Sequence, residues 1–319
     1  MKVLELFAGI GGFTAAFPNL EIVKAVDIDQ TAREVYSANF SHSYSIKEIA
    51  SLPLEWFSRL NSDLWWMSPP CTPFTQRGAQ RDIDDNRSAA LKHLIHVATM
   101  LRPSLICLEN VVGFESSQAY ATMHNEWTKA GYQIQTYTFC PSNLGWPNRR
   151  PRVYCIASQV DRARALSEPT TETHFTPIVE TLSLSPFIDA TISPKTHPAL
   201  WLAPKTVDRY LDAMDRVAIS NSSATGAPAS TEMTACFASS YGKAIVRSGS
   251  YLETNWGYRR FSPREVARLL GFSDAFRLPE TLSLERQWHL LGNSLSLPAV
   301  RHVLGHNVSI DFVASHFLP

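Results

Sequence analysis

KVLELFAGIGG, Lys2 to Gly12, decides the fold. A short apolar run breaks into a cluster of glycines, which is how a buried strand ends in a tight turn. Glycine lets backbone pass close to a ligand, and a plain tight turn is the alternative at this point. EIVKAVDID follows at residues 21–29 and reads as a second strand, ending in carboxylates. An acid at that position is where an α/β nucleoside site holds a ribose diol, so Asp27 is a candidate; capping of the next helix by Asp27 or Asp29 is the other reading. The glycine spacing departs from G-x-G-x-x-G and disfavours a nicotinamide cofactor.

Further along, strand and helix alternate. QTAREVYSANF (30–40) has helical spacing, and SDLWWMS (62–68) reads as a strand. SAALKHLIHVATMLR (88–102) is an amphipathic helix with Leu91, Leu94, Ile95, Ala98 and Leu101 on one stripe. PSLICLENVVGF (103–114) is a strand, QAYATMHNEWTKAGY (118–132) a helix closed by Gly131, and QIQTYTF (133–139) and RVYCIAS (152–158) are strands. This order predicts an α/β, doubly wound, mostly parallel sheet, with ligands at the carboxyl ends of its strands. The glycine cluster, Asp27, Cys71 and Glu109 all fall just after predicted strands.

From about 161 to 229 the chain turns to Ser, Thr, Pro and Ala with weak periodicity, and SNSSATGAPAS (220–230) reads as a flexible loop. Order returns in SPREVARLLGF (262–272). There Ser262, Pro263 and Glu265 form a capped helix start and Gly271 its end. LGNSLSLPAVRHVLGHNV (291–308) starts as a turn and becomes a helix. The expected organisation is a catalytic and cofactor-binding domain from 1–160 plus 285–319, and a smaller target-recognition domain over 161–284.

Bulk properties exclude little. The 319 residues hold 45% hydrophobic and 18% charged residues with a formal net charge of zero, so any nucleic-acid surface must be a local patch. Arg247, Arg259, Arg260, Arg264 and Arg268 are candidates for a phosphate track, with a solvated helix face the default for the last two. The five cysteines are scattered without a C-x-x-C pair, which indicates neither a metal site nor a disulfide framework. Reduced thiols point to the cytoplasm. The amino-terminal stretch reads poorly as a leader, and no run approaches the length of a membrane span.

Cys71 stands apart from the other thiols. In DLWWMSPPCTPFTQRG (63–78) it lies between Pro69-Pro70 and Pro73, stiff and non-helical. Lone cysteines are mostly buried small hydrophobes, the reading taken for Cys107 and Cys155. Cys71 instead occupies a braced loop at the presumed ligand edge, followed by the polar TQRGAQRDIDDNR (75–87), which fits a lid. A nucleophilic thiol needs nearby positive charge, for which Arg77, Arg150 and Arg152 are candidates. Glu109, after an apolar strand, either caps a helix or holds a proton beside the thiol. Asn148, Arg150 and Arg152 alternate in PNRRPRV (147–153) and share one side if extended, which suits phosphate or carboxylate; a solvated edge strand is the alternative.

FAGIGG, VDID, SPPCTPFT, LENVVGF, PNRRPRV and LLGNSLSLPAV together resemble, in order, the motifs of the cytosine-5 methyltransferases that use S-adenosylmethionine. The resemblance covers both ends of the chain. It implies a class I, Rossmann-like methyltransferase fold, with S-adenosylmethionine as cofactor and S-adenosylhomocysteine as its product. Phe7, Gly9, Gly11 and Pro70 would line the cofactor pocket, with Asp27 on the ribose and Glu48-Ile49 flanking the adenine. Asn293-Ser294 would reach the cofactor from the carboxyl-terminal segment. Cys71 would be the nucleophile, Glu109 would grip the cytosine edge, and Arg150 and Arg152 would steady the base and its phosphate. Asn148 stands where the family more often has Gln.

Within the family the chain looks most like the DNA-methyltransferase-like enzymes that methylate a cytosine in a tRNA anticodon loop. Ser68, Thr75 and the run SNLGWPN (142–148) carry that likeness. That group's Cys-Phe-Thr tripeptide is here Cys236-Phe237-Ala238, so Thr75, Asn148, Cys236 and Phe237 are the substrate-side candidates. The expected partner is tRNA, with DNA as the alternative and no metal or membrane. A non-catalytic nucleic-acid-binding relative has no need of the Cys71, Glu109, Arg150 and Arg152 set. A small-molecule methyltransferase would leave the recognition domain unexplained.

Overall fold

The computed structural model of the chain describes residues 1–70, 88–159, 181–219 and 232–307. Cys71, Thr75, the expected lid and the 220–230 loop lie outside them. Each apolar run in the first half becomes a strand. β1 (Lys2–Leu6), β2 (Glu21–Asp27), β3 (Tyr44–Ile46), β4 (Leu64–Met67), β5 (Leu105–Val111), β6 (Tyr132–Phe139) and β7 (Arg152–Gln159) form one sheet, in the order β3-β2-β1-β4-β5-β7-β6. The pairs from β3 across to β5 are parallel. β7 runs antiparallel to both β5 and β6.

Successive strands that run the same way need crossovers, and these are helices. They are α1 (Gly12–Ala16), α2 (Gln30–Asn39), α3 (Leu54–Leu60), α4 (Ala89–Leu101) and α5 (Gln118–Lys129). Trp65 and Trp66 show how strand alternation builds two layers. Trp65 packs on Phe57 of α3 (ring centroids 5.4 Å apart), within a core that also takes Leu94 of α4 and Met123 of α5. Its neighbour Trp66 stacks on Phe13 of α1 at 4.8 Å, on the other face. The doubly wound, mostly parallel sheet is therefore as expected. Cys107 and Cys155 are core residues, 1% exposed, and burial pushes the Cys155 thiol up to about 12.

The chain divides into two compact units. The first comprises Met1–Phe139, Pro151–Phe175 and Ala299–Pro319; the second comprises Cys140–Arg150 and Thr176–Pro298. These divisions differ from those expected at 160 and 285. Cys140–Arg150 goes with the second unit because Asn148 bridges to Thr234 and the Trp146 indole donates to the Leu269 carbonyl at 2.7 Å.

The second unit contains α6 (Pro204–Tyr210), β8 (Asp215–Val217), β9 (Ser250–Thr254), β10 (Gly257–Arg260), α7 (Pro263–Leu270) and α8 (Leu284–Gly292). Its sheet has the order β10-β9-β8. Ser262 and Glu265 form the expected capping box at α7, and Gly271 closes it at φ 91°. A last helix, α9 (Leu297–Asn307), returns to the first unit, where His302 stacks on Phe139 at 4.6 Å. Among the described residues, no helix is long and apolar enough to cross a membrane.

Candidate active site

At the carboxyl end of β1 the backbone turns sharply through left-handed conformations: Phe7 at φ 55°, Gly9 at 53° and Gly11 at 85°. A phenylalanine there is strained, which is typical of a site where the chain is shaped for a ligand. Asp27, at the end of β2, reaches across to this turn. Its Oδ2 accepts the Gly9 N–H at 2.9 Å, and its Oδ1 accepts the Asp29 N–H at 2.9 Å. The capping alternative belongs to Asp29, whose Oδ1 takes the N–H groups of Thr31 and Ala32 at the start of α2. Burial raises the Asp27 carboxyl above the usual range, against the pull of its N–H partners.

The adenine-side candidates divide. Glu48 is exposed, but the Ile49 side chain is 4% exposed within the core, so it offers no apolar face. Ile28, which the sequence reading passed over, is 67% exposed and adjoins Asp27. Its exposure is set by the fold, so the sequence held no signal for it.

At the end of β5, adjacent residues point to opposite faces. Glu109 is 7% exposed, and its Oε1 lies 3.1 Å from Arg152 Nε. In the β5–β7 register Arg152 is opposite Val111 and Tyr154 is opposite Glu109, so the ion pair is a diagonal cross-strand contact. Asn110 was also passed over. It is 2% exposed and donates to the Pro69 carbonyl at 3.1 Å, pinning the proline loop where it leaves β4. Pro70 is exposed at that loop's start, one residue before Cys71.

PNRRPRV departs from the expected single extended face. β7 starts at Arg152, directly after Pro151, so strand alternation does not reach back to Asn148 and Arg150. Arg150, 3% exposed, is a clamp within the second unit. It donates to Cys236 Sγ at 3.3 Å, to the Phe237 carbonyl at 3.2 Å, to the Gly292 carbonyl at 3.1 Å and to the Ser294 carbonyl. Asn148 is fully buried and donates to Thr234 Oγ1 at 3.0 Å and the Ala235 carbonyl at 3.1 Å. The Phe237 ring packs against Tyr241 and Phe261, at 5.0 and 5.3 Å, so it is core rather than contact surface.

The expected phosphate track also fails at its centre. Arg259 is 2% exposed and forks onto Glu265 at 2.7 and 2.8 Å, while Arg264 donates to the Phe276 carbonyl and Arg268 pairs with Asp274.

Gly292 ends α8 where only a hydrogen fits. A Cβ there would lie 2.4 Å from the Ala238 carbonyl carbon. Asn293 follows, exposed, with Ser294 buried behind it. His289 Nδ1 lies 3.2 Å from the Ser239 carbonyl, which can only accept, so Nδ1 carries the proton. The other ring nitrogen, Nε2, lies 3.2 Å from the Asn293 side-chain amide nitrogen.

A strand-end acid beside a braced loop, a glycine turn cinched by a second acid, and an arginine clamp fit the motif order read in the sequence. The family model for the C-5 cytosine-specific DNA methylases matches residues 1–308. The chain belongs to that family. A tRNA (cytosine(38)-C(5))-methyltransferase of Bos taurus is 28% identical, with the match covering 94% of this chain and 97% of that one. A DNA (cytosine-5)-methyltransferase of Dictyostelium discoideum is 25% identical, covering 94% and 92%. The crystal structure of a Spodoptera frugiperda DNMT2 variant superposes with a TM-score of 0.81 at 26% identity, covering 96% of this chain and 98% of that one.

Membership of a methylase family makes the protein an enzyme and implies S-adenosylmethionine as methyl donor. The residues fit such a nucleoside. Among the described residues a Cβ on Gly9 would meet no atom within 4 Å, so the turn leaves open space above it, and Asp27 and exposed Ile28 stand at the end of the neighbouring strand β2.

Proposed function

We propose that this methylase acts on C5 of a cytosine in the anticodon loop of tRNA, through a covalent adduct between Cys71 and C6. The observation that carries the reading is the Glu109–Arg152 pair beside the Pro69-Pro70 loop that Asn110 pins. Cytosine C5 is a poor nucleophile. Addition of the Cys71 thiolate at C6 gives C5 enamine character, and Glu109, bonded to N3 and the exocyclic amine, stabilises that adduct. Arg152 holds the Glu109 carboxyl in position for that contact. S-adenosylmethionine, held by Phe7, Gly9, Gly11, Asp27 and Ile28, would supply an electrophilic methyl group for that carbon. Loss of the C5 proton and elimination of Cys71 restore the aromatic ring.

Arg150 and Asn148 act by holding the Cys236–Phe237 segment, and half-exposed Cys236 is its substrate-facing member. Target recognition falls to the second compact unit. The name of the Bos taurus relative and the SNLGWPN run favour tRNA. So does physics, because a loop base costs less to unstack than a paired one. Ala238 in place of threonine is the observation that favours DNA. The free thiols at 107, 140, 155 and 236 suit a reducing, cytoplasmic setting.

Methyl transfer from labelled S-adenosylmethionine to total tRNA and to mixed-sequence duplex DNA, side by side, tests this. Label in tRNA that is lost in Cys71→Ala is expected; label in DNA alone would move the substrate to DNA.

A further inference from the structure

Behind the glycine turn sits an acid that the proposed chemistry does not use. Glu5 lies in β1 and is 1% exposed. Its Oε2 accepts the Thr14 hydroxyl at 2.6 Å and the Tyr36 phenol at 3.4 Å, and those two oxygens are 3.1 Å apart. Thr14 belongs to α1 and Tyr36 to α2, so this triangle ties the strand before the turn to the helices after it. The turn rests on the same group. A Cβ on Gly11 would meet the rings of Phe40 and Tyr36 at 2.5 and 2.9 Å, and the Tyr44 phenol donates to the Gly9 carbonyl at 3.2 Å.

Burial pushes the Glu5 carboxyl up to about 7, outweighing the hydrogen bonds that favour its ionised form. Other ionisable groups surround it. Tyr36 stands on α2, with His42 Nδ1 3.5 Å from its hydroxyl, and Tyr44 stands on β3. Asp27 and Asp29, at the end of β2, act on Tyr44. Arg301 of α9 donates to the Ala15 and Ala16 carbonyls at the far end of α1. Both phenols are pushed up and His42 is pushed down, in each case chiefly by burial.

A cation brought to the turn favours the carboxylate over the carboxyl. The methyl donor carries a sulfonium charge that its thioether product lacks. We infer that Glu5 is a positioning residue for the cofactor turn whose proton is linked to cofactor charge: binding S-adenosylmethionine releases a proton from Glu5 to solvent, and binding S-adenosylhomocysteine releases less. This rests on the methyl-donor reading above. It gives the turn a preference between donor and spent product that varies with pH.

Titration calorimetry of the full chain with each ligand, at pH 7 in two buffers of different protonation enthalpy, counts the protons. Wild type is expected to release up to about half a proton more with S-adenosylmethionine than with S-adenosylhomocysteine. In Glu5→Gln the difference vanishes. In Tyr36→Phe, which keeps the ring under Gly11 but loses a bond to the carboxylate, the pH of greatest release moves up. No difference in wild type, or the same difference in Glu5→Gln, overturns the inference alone. Should Glu5→Gln fail to fold, an unmoved pH maximum in Tyr36→Phe overturns it. If neither ligand binds the folded wild type, the methyl-donor reading falls and this inference with it.

Discussion

At Glu109 and Asn110, strand alternation assigns two tasks to adjacent residues. One carboxylate pairs with Arg152, and one amide pins the Pro69 carbonyl. The strand-end positions of Glu109 and Asp27 were legible, because an acid closing an apolar run stands out. Arg150 and Phe237 were not read correctly. Their spacing said nothing about which carbonyls or rings would close around them, and burial is decided by distant segments. The Glu109–Arg152 pair gives a direct expectation under the proposed mechanism. Glu109→Gln should lower kcat by roughly 10²–10⁴-fold, the range for a positioned acid–base group. Arg152→Lys keeps the charge but loses the planar guanidinium, so it should also lower kcat. Single-turnover methyl transfer measures both. Calorimetry should show S-adenosylmethionine affinity close to wild type; a fall in affinity matching the fall in rate would place Glu109 on the cofactor instead.

Among the elements, the turn from β1 into α1 is the one proposed to hold the cofactor, and its glycines differ in kind. Gly11 is left-handed and packed against Tyr36 and Phe40, whereas Gly9 is left-handed with open space above it. Gly11→Ala should cost about 1–3 kcal/mol of stability, the scale of a strained backbone conformation, with further loss from the ring contact. Gly9→Ala should cost less stability yet weaken cofactor binding, because its methyl enters the open space. Denaturant unfolding and calorimetry separate the two, and equal effects on both quantities would contradict this division. The parallel strands and their helices were readable from apolar runs and helical periodicity. The antiparallel β6 and β7 were readable only as strands, because direction depends on the connection between them. Short β3 and α3 carry too few residues for a period to emerge.

Across the whole molecule, the sheet order and the division into two units depend on long-range pairing. The limit expected at 160 came from a change in composition, which does not register the Asn148–Thr234 bridge or the close approach of Gly292 to Ala238. Global stability should show the buried acid. Burial pushes the Glu5 carboxyl up to about 7 from an ordinary 4.5, so the folded chain holds this proton more tightly than the unfolded one. The resulting stabilisation is fully present below about 4.5 and is lost as pH rises through about 7, an effect of about 3 kcal/mol. Denaturant unfolding of the ligand-free protein between these limits should show that fall, and Glu5→Gln should flatten it. Parallel curves for the two proteins would mean that the carboxyl ionises freely in the fold.

The central claim is that Cys71 attacks a tRNA cytosine at C6. Fluorine at C5 cannot leave as a proton does, so an anticodon stem-loop carrying 5-fluorocytosine should trap the adduct after methyl transfer. Mass spectrometry of the digested complex reads it directly. The account predicts a nucleotide-linked peptide that contains Cys71 and is absent in Cys71→Ala. A trapped peptide containing Cys236 instead, or an accepted substrate that leaves no adduct, would contradict it.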